Sequence, residues 1–212
     1  MMFFKDRYDA AMKLIPFLEK YKNERGAVLA VPRGGVPLGY YISKHFGFPL
    51  ELMLTKKIGH PESAELAVGA VSQENYIVDD HYKIPESYLE NEIKRIRGLL
   101  KERSNKFLGN RKPVNIEGKT VIVIDDGIAT GNTILAAIQV MKKKNPEKII
   151  VAVPVAPSGT VNRIRRQVDD LICLYTPEEF YGVGQFYDDF SEVTDEDVIQ
   201  FLKGANNPAK VF

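Results

Sequence analysis

Short apolar runs alternate with longer amphipathic stretches along most of this chain. The runs have the length of buried strands, and the stretches between them carry apolar residues at helical spacing. Because strands and helices alternate, the sequence predicts an α/β fold, a Rossmann-like and mostly parallel sheet flanked by helices. The predicted strands are residues 27–31, 50–55, 121–124, 148–155 and 171–174, and the predicted helices are residues 6–21, 38–46, 85–108, 134–141 and 158–167.

Two parts of the chain depart from this alternation. Residues 56–65 are polar and contain glycine and proline, so they are predicted to form a loop, and two short strands at residues 66–72 and 76–78 could pair as a hairpin. After residue 175 the chain is rich in loops and aromatic residues, and it ends in a short helix near residues 195–202. We expect a single domain over residues 1–212, with a core up to about residue 175 and a small C-terminal appendage from about residue 176.

Composition places the chain among ordinary globular proteins. It has 212 residues, 44% hydrophobic and 27% charged, and 29 basic against 28 acidic residues leave a net charge of +1. No basic excess points to a nucleic acid or a membrane surface. The single cysteine, Cys173, excludes an intramolecular disulfide. We expect a cytoplasmic protein, because no apolar segment has the ~18 residues of a membrane span and the N-terminus lacks a signal-peptide pattern.

The most informative stretch is VIVIDDGIATGNT, residues 121–133. Its strand is followed by two adjacent carboxylates, Asp125 and Asp126, and then by small residues that lead into a helix. Backbone N–H groups at a helix N-terminus attract phosphate, and threonine hydroxyls add donors. Two carboxylates would repel a bare phosphate, so they favour a ligand with hydroxyl groups or a bridging Mg²⁺. A phosphorylated sugar meets both conditions.

The loop is not a Walker A motif, because Asn132 stands where that motif has its lysine. An ordinary strand-to-helix turn remains the alternative. The strand, the acid pair and the Thr-Gly-x-Thr spacing resemble the ribose-5-phosphate loop of the type I phosphoribosyltransferases. This resemblance implies that Asp125 and Asp126 face the ribose hydroxyls, directly or through Mg²⁺-bound water. It also implies that the loop holds the 5-phosphate through Gly127, Ile128, Ala129, Thr130, Gly131, Asn132 and Thr133.

A second candidate is PRGGVP, residues 32–37, directly after a predicted strand. Two glycines let the backbone approach an anion closely, and Arg33 supplies a planar fork of donors. Alone the motif indicates a structural turn, but it gains weight because open α/β sheets bind ligands at the carboxyl ends of their strands. It resembles the pyrophosphate-binding loop of the same family. That likeness implies pyrophosphate contacts from Arg33, Gly34 and Gly35, and a cis peptide bond that we expect at Arg33–Gly34.

Lys56 and Lys57 form a third candidate at the end of the strand predicted over residues 50–55. They could clamp a pyrophosphate, or the loop predicted over residues 56–65 could close as a lid. The position is similar to the flexible catalytic loop of the type I enzymes, and a solvated hairpin loop is the alternative. His60 in this loop has no partner that the sequence identifies.

The resemblance covers nearly the whole chain through PRGGVP, KKIGHPESAELAVGAV, VIVIDDGIATGNT and GVGQFYDDFSEVTDEDV. These segments resemble a subgroup of bacterial and archaeal phosphoribosyltransferase-like proteins. The implied ligand is 5-phosphoribosyl 1-diphosphate with Mg²⁺, and the implied reaction is displacement of pyrophosphate by a small nitrogenous acceptor. Preorganised cations would stabilise the departing pyrophosphate. The residues expected to act in catalysis are Asp125, Asp126, Lys57 and Arg33, and a homodimer is compatible with the resemblance.

The acceptor is not specified by these motifs. In 6-oxopurine transferases an aspartate precedes the Thr-Gly of the loop, whereas this chain has Ala129 there, which disfavours hypoxanthine and guanine and leaves adenine open. Acceptor specificity in the family comes from a variable hood, here the segment after Tyr175. Its aromatic residues could stack on a base or could form the small core of the hood. They are Phe180, Tyr181, Phe186 and Tyr187.

Two other functions fit parts of the pattern. One is a non-catalytic regulator that binds phosphoribosyl diphosphate. A regulator that binds nucleic acid should carry a basic patch or an extra module, and neither is evident in the sequence. The other is a phosphatase or kinase that uses the acid pair for Mg²⁺, against which the absence of a nucleophile motif and of a phosphate-loop lysine counts.

Overall fold

Two structural units make up the part of the chain that the structure, a computed structural model, describes: residues 4–79, 81–109 and 111–205. The first contains the described residues of Met1–Met53, Lys112–Thr130 and Pro146–Phe212, and the second those of Leu54–Arg111 and Gly131–Asn145. The strands are β1 (Gly26–Ala30), β2 (Leu50–Leu52), β3 (Lys56–His60), β4 (Ser63–Val71), β5 (Tyr76–Val78), β6 (Thr120–Ile124), β7 (Lys148–Val155) and β8 (Asp170–Tyr175). The helices are α1 (Arg7–Leu18), α2 (Gly35–Phe46), α3 (Glu86–Leu108), α4 (Asn132–Lys142), α5 (Ser158–Arg165) and α6 (Asp195–Ala205).

The first unit is built on a parallel five-stranded sheet with the order β2-β1-β6-β7-β8. Every residue of β1 and β6 is buried, as is typical of parallel strands covered on both faces. Helix α1 packs on α2, β7 and β8, while α2 packs on β1, β2 and β6, and α6 packs on α2. The predicted α/β architecture, with a mostly parallel sheet flanked by helices, is therefore confirmed.

The strand order reverses between β1 and β6. From β1 the chain continues to β2 on one side of the sheet, whereas β6, β7 and β8 extend on the other side. The two central strands end together, because Ala30 pairs with Ile124 and the N–H of Val31 donates a 2.9 Å hydrogen bond to the carbonyl of Ile124. Ligands of open α/β sheets bind at such a reversal, outside the carboxyl ends of the strands. The segment that follows β1 contains the PRGG motif, residues 32–35, and the segment that follows β6 begins with the acid pair, Asp125 and Asp126.

The second unit is a small antiparallel sheet with its helices. The sheet has the order β3-β4-β5, and α3 packs on β3 and β4 while α4 packs on all three strands. Its core includes Ile58 of β3, Val68 and Val71 of β4, and Ile96 and Leu100 of α3. The predicted hairpin between the second and third of these strands is confirmed by the pairing of β4 with β5.

The prediction of a loop over residues 56–65 is wrong. Residues 56–60 form β3 and residues from Ser63 onward form β4, and the two pair from Lys56 opposite Val71 to His60 opposite Ser63. This hairpin was missed because β3 is mostly polar and buries one side chain completely, that of Ile58. A strand with so short an apolar pattern gives a weak periodic signal.

Helix α2 begins at Gly35, three residues earlier than predicted. The sequence Gly-Gly-Val-Pro suggested a turn, yet proline is tolerated in the first turn of a helix because no intrahelical partner is required of its nitrogen there. The PRGG motif is therefore a short turn followed at once by a helix.

The N-terminal segment pairs with the C-terminal part of the chain. Phe4 forms a parallel bridge with Tyr187, and its N–H donates a 2.8 Å hydrogen bond to the carbonyl of Phe186. The N–H groups of Asp188 and Asp189 donate 2.8 Å hydrogen bonds to the carbonyls of Phe4 and Lys5. Both segments belong to the first unit. Among the described helices, none combines the length and the apolar character needed to cross a membrane.

Candidate functional site

A cavity of about 440 Å³ lies in the first unit beside Asp126 and the PRGG turn, residues 32–35. It is lined by residues of α1 and of the segment after β8, together with the segments that follow β1 and β6. Two of the predicted site motifs therefore meet at one cavity, as expected from the strand reversal. The lining residues are Arg7, Arg33, Gly34, Asp126, Phe190, Glu192 and Val193.

The two glycines of the PRGG turn are required by close approach to the strand β6 and its acid pair. A Cβ atom on Gly34 would lie 2.0 Å from Oδ2 of Asp126, and a Cβ atom on Gly35 would lie 2.6 Å from the carbonyl oxygen of Ile124. Neither distance allows a side chain without movement of the neighbour. The backbone of the turn thus packs against Asp126, and Arg33 and Asp126 lie at the same cavity.

Arg7 of α1 binds Asp126 directly. Its Nε and Nη2 atoms lie 3.0 Å and 2.8 Å from Oδ2 of Asp126, and both side chains are only 12% exposed. The third nitrogen, Nη1, donates a 2.7 Å hydrogen bond to the carbonyl of Ser191, and the guanidinium lies 4.1 Å from the ring centre of Phe190. The sequence did not identify Arg7, because its partner lies 119 residues away and no local pattern links the two.

Burial and mutual repulsion govern the charge of the acid pair. Part of Asp125 remains accessible, but its carboxyl group is packed among protein atoms, and this desolvation together with the charge of Asp126 raises its pKa well above the ordinary value. Desolvation also raises the pKa of Asp126, although the charge and the hydrogen bonds of Arg7 oppose that shift. Two neighbouring acids of this kind titrate as a pair. The ion pair with Arg7 favours the charged form of Asp126, so Asp125 is the acid that resists ionisation more.

Tyr187 holds the backbone of the acid pair in place through a hydrogen bond. Its hydroxyl donates a 2.6 Å hydrogen bond to the backbone carbonyl of Asp126, and the residue is 7% exposed. Desolvation, followed by the charge of Asp126, raises the pKa of Tyr187, which keeps the hydroxyl protonated as a donor. The hydrogen bond fixes the peptide between Asp126 and Gly127, where the loop after β6 begins.

Arg33 points into the cavity and is held by two acids of the C-terminal segment. Its Nη2 donates a 2.6 Å hydrogen bond to Glu192, and its Nη1 lies 3.7 Å from Asp195. The cis peptide bond expected at Arg33–Gly34 lies one bond earlier, between Pro32 and Arg33. The expected position was therefore wrong by one residue.

The loop after the acid pair is tied back to α5. The hydroxyl of Thr160 donates a 2.7 Å hydrogen bond to the carbonyl of Ala129, and Arg163 donates a 3.4 Å hydrogen bond to the carbonyl of Thr130. The N–H of Ile128 donates to the carbonyl of Val155 at 3.0 Å, so this N–H is already used within the protein. Ala129 and Thr130 are exposed.

The last residues of the predicted phosphate loop open the helix α4. Gly131 has a φ of +73°, a left-handed conformation that glycine adopts without strain, and α4 starts at Asn132. Thr133 is exposed in the first turn of this helix. The second unit begins again at Gly131. The phosphate-loop assignment for residues 127–133 stays a prediction.

The predicted lysines belong to the second unit. Lys56 and Lys57 are the first two residues of β3, where Lys56 is exposed and Lys57 is partly buried. Lys56 lies at a second cavity, of about 430 Å³, together with Arg103 and Lys106 of α3. Adjacent residues of a strand point to opposite faces, so the two lysines serve different surfaces.

The aromatic residues of the C-terminal segment divide by exposure. Phe186 is completely buried, with its ring centre 5.7 Å from those of Phe180 and Tyr175, and Tyr187 is buried as well. Their packing is that of a small core, the alternative to base stacking that the sequence left open. Tyr181, in contrast, is 87% exposed. Phe190, which the sequence did not single out, lines the cavity and covers Arg7.

The donor set of the site suits a metal shared with a ligand. Within residues 4–79, 81–109 and 111–205, no three His, Cys, Asp or Glu side chains are grouped closely enough to hold a metal ion. Mg²⁺ needs few protein ligands, because it keeps several waters and takes oxygens from substrate phosphates. Asp125 and Asp126 offer carboxylate oxygens of this kind, so the residues present fit a Mg²⁺ that arrives with a phosphorylated ligand.

Comparison with known sequences identifies the family. The sequence model of the phosphoribosyl transferase domain matches residues 5–191. A Mycobacterium tuberculosis protein with the provisional name phosphoribosyl transferase is 33% identical over 211 residues, which are 97% of this chain and 48% of that protein. The chain therefore spans about half the length of the curated relatives it matches. A ribose-phosphate pyrophosphokinase of Pyrococcus furiosus is 40% identical over 63 residues, 28% of this chain and 23% of that protein.

A solved structure agrees with these matches. The crystal structure of a Thermus thermophilus protein covers 95% of this chain and 98% of its own, with 36% sequence identity and a TM-score of 0.89. The predicted family and the predicted fold class are confirmed by these comparisons. The chain belongs to the phosphoribosyl transferase domain family, and its fold is that of the type I phosphoribosyltransferases.

Proposed function

We propose that this protein binds 5-phosphoribosyl 1-diphosphate with Mg²⁺ and transfers the phosphoribosyl group to a small nitrogenous acceptor. The observation that carries the proposal is the meeting of Asp126 with Arg33 and Gly34 at one cavity. This cavity lies where the strand order reverses, in a chain of the phosphoribosyl transferase family. A cytoplasmic location and a homodimer belong to the same proposal through the family resemblance.

The acid pair would accept hydrogen bonds from the ribose hydroxyls. Asp126 is suited to this role because the ion pair with Arg7 favours its charged, acceptor form. Asp125 lies beside it at the end of β6 and would contact the sugar directly or through Mg²⁺-bound water. When bound, Mg²⁺ would neutralise charge on the pyrophosphate and orient it as a leaving group.

The anionic ends of the ligand would be held by backbone donors and by cations. The loop from Gly127 to Thr133 would take the 5-phosphate, with Ala129 and Thr130 as its exposed members in the first unit. Arg33, with the backbone of Gly34 and Gly35, would take the pyrophosphate. Lys56 or Lys57 would add a second cation to this group, as the resemblance implies.

The reaction would be a displacement at ribose C1. The bond from C1 to the pyrophosphate oxygen breaks with its electron pair on the oxygen, and a nitrogen lone pair of the acceptor forms the new bond to C1. The acceptor nitrogen then releases its proton to solvent. Because negative charge grows on the departing pyrophosphate, Arg33 would stabilise the transition state more than the bound substrate.

The acceptor would lie beside the C-terminal segment. Tyr181 is the exposed aromatic of the predicted set, and Phe190 lines the cavity, so these two rings are accessible for stacking on a planar base. Ala129 at the loop disfavours a 6-oxopurine, as argued from the sequence. The nitrogenous acceptor itself is the part of the proposal that an assay has to identify.

The test is release of pyrophosphate from 5-phosphoribosyl 1-diphosphate in the presence of Mg²⁺, against a panel of purines, pyrimidines and other nitrogenous compounds. Release that depends on one acceptor would support the transferase and name its substrate. Binding measured by calorimetry without release for any acceptor would instead favour a non-catalytic regulator. No binding in the wild-type protein would overturn the assignment of the site. The Asp125→Asn/Asp126→Asn double variant is the negative control.

A further inference from the structure

The acid pair creates an electrostatic problem for the proposed ligand. When ionised, the two adjacent acids repel a sugar that carries a phosphate and a diphosphate, and this repulsion is strong where water is excluded. A divalent cation is one source of compensating charge. The structure contains another, because the guanidinium of Arg7 already lies 2.8 Å from Asp126.

The geometry of Arg7 is that of a fixed counter-ion. All three guanidinium nitrogens are engaged, two by Oδ2 of Asp126 and one by the carbonyl of Ser191. Phe190 lies against the guanidinium at 4.1 Å from its ring centre, which shields the ion pair from water. Arg33, the other cation of the cavity, is paired with Glu192 and Asp195 and therefore does not offset the acid pair.

We propose that Arg7 is the built-in counter-ion of the acid pair, which supplies part of the positive charge that Mg²⁺ would otherwise have to supply for an anionic ligand to bind. Arg7 acts through Asp126 and is thus a positioning residue. The inference rests on the proposed function, since it concerns the same ligand. It goes further in assigning a role to a residue of α1 and in stating how that residue divides the charge compensation with the metal ion.

The consequence is a measurable coupling between Arg7 and Mg²⁺. If Arg7 supplies part of the compensation, the wild-type protein retains some affinity for the ligand after Mg²⁺ is removed by chelation. Without Arg7 the acid pair is uncompensated, and the loss of affinity should be larger without Mg²⁺ than with it. A purely structural role of Arg7 would weaken binding by the same factor under both conditions.

The experiment is calorimetric titration with 5-phosphoribosyl 1-diphosphate, in Mg²⁺ and in a chelator, of the wild type, Arg7→Gln and Arg7→Lys. The readout is the ratio of the dissociation constants without and with Mg²⁺. For Arg7→Gln we expect this ratio to rise about tenfold over the wild type, since the loss of a hydrogen bond to a charged group changes an affinity by about tenfold or more. Arg7→Lys should stay within about threefold of the wild-type ratio. A lysine keeps the positive charge and can form the ion pair with Asp126, although it lacks the planar set of donors of a guanidinium.

A matched control removes one positive charge elsewhere on the same unit. Lys20 follows α1 and pairs with Asp170 at 2.7 Å, so Lys20→Gln changes the net charge equally without touching the acid pair. Its ratio should equal that of the wild type. Circular dichroism establishes that each variant is folded. If Arg7→Gln is not folded, the double variant Arg7→Gln/Asp126→Asn replaces it, because it removes both members of the buried ion pair. Its ratio should be at or below the wild-type ratio.

The outcomes separate the two proposals. Wild-type binding in Mg²⁺ together with equal ratios for wild type and Arg7→Gln would overturn the counter-ion role and leave the proposed function standing. A ratio for Arg7→Lys as high as that for Arg7→Gln, or a ratio for the double variant above that of the wild type, would also overturn the role. Absence of any wild-type binding in Mg²⁺ would overturn the proposed function and the counter-ion role with it.

Discussion

Arg33 donates a 2.6 Å hydrogen bond to Glu192, which lies 159 residues further along the chain. The residue proposed to bind pyrophosphate thus already has a carboxylate partner, with Asp195 3.7 Å away as a second one. A carboxylate and a phosphate oxygen are both acceptors for a guanidinium. Pyrophosphate would therefore have to compete with Glu192 for Arg33.

Glu192→Gln should strengthen the binding of inorganic pyrophosphate. The Glu192 side chain is 73% exposed, and exposed ion pairs are worth about 0–1 kcal/mol, so we expect the dissociation constant to fall about two- to fivefold. Calorimetry at low ionic strength measures this, since salt screens the pair. Glu196→Gln, which removes the same charge from the first turn of α6, is the control. Equal gains in both variants would mean that the effect is net charge and not competition for Arg33.

Gly34→Ala should weaken binding of 5-phosphoribosyl 1-diphosphate more than it weakens the fold. The new methyl group would lie 2.0 Å from Oδ2 of Asp126, so the carboxylate must move away from its position at the cavity. We expect the affinity to fall about tenfold or more, which is the effect of losing one charge-assisted hydrogen bond. Titration calorimetry and a melting curve on the same sample distinguish the two effects.

Gly98→Ala is the matched control for this substitution. A Cβ atom on Gly98 of α3 would meet nothing within 4 Å. Alanine is a better helix former than glycine, so this variant should be more stable than the wild type by about 0.5–1 kcal/mol. Ligand affinity should not change. Wild-type affinity in Gly34→Ala would contradict the proposed contact between the ligand and Asp126.

Asp125→Asn should make the protein more stable while it weakens ligand binding. The pKa of Asp125 is raised above its ordinary value of 3.8 by burial and by Asp126, so the unfolded state ionises first as pH rises. The wild-type protein therefore loses stability as the pH rises from 3.8 to the raised pKa of Asp125, whereas the variant with asparagine does not. Urea unfolding should show a stability advantage of the variant at neutral pH that shrinks toward about pH 3. An unchanged or lower stability at neutral pH would contradict the raised pKa.

Tyr187→Phe should destabilise the protein by about 1–3 kcal/mol, because it leaves the buried carbonyl of Asp126 without its donor. For a chain of this size, each kcal/mol corresponds to a decrease in Tm of about 2–4 °C. Thermal unfolding measures the change. Tyr181→Phe, at a side chain that is 87% exposed, should stay within about 0.5 kcal/mol of the wild type. Equal Tm values for the wild type and Tyr187→Phe would contradict the support that Tyr187 gives to the loop.

The sequence was sufficient for those parts of the site that follow a strand. Residues 121–124 are continuously apolar and are followed by two acids, so the strand and the acid pair could be located together. The PRGG turn could be located in the same way, although its helix begins at Gly35 and was predicted three residues too late. The hairpin of β3 and β4 was missed because polar residues dominate β3, in which Ile58 is the one buried side chain.

The contacts across the chain could not be predicted. Arg7 meets Asp126 over 119 residues and Arg33 meets Glu192 over 159 residues, and neither pair has a local sequence pattern. Both depend on how α1 and the segment after β8 dock on the sheet. Side-chain pairs of this kind follow from tertiary packing, which single-sequence periodicity does not encode.

The pairing of Phe4 with Tyr187 has a consequence for the order in which the site forms during synthesis. All five strands of the sheet precede Thr176, so the acid pair and the PRGG turn can come together before the C-terminal segment exists. Arg7 is synthesised before the sheet, whereas its partners Phe190 and Ser191 are synthesised after it. A nascent chain that stops before Phe186 would carry the whole sheet and Asp126, but its Arg7 would lack the contacts with Phe190 and Ser191 that hold the guanidinium in place.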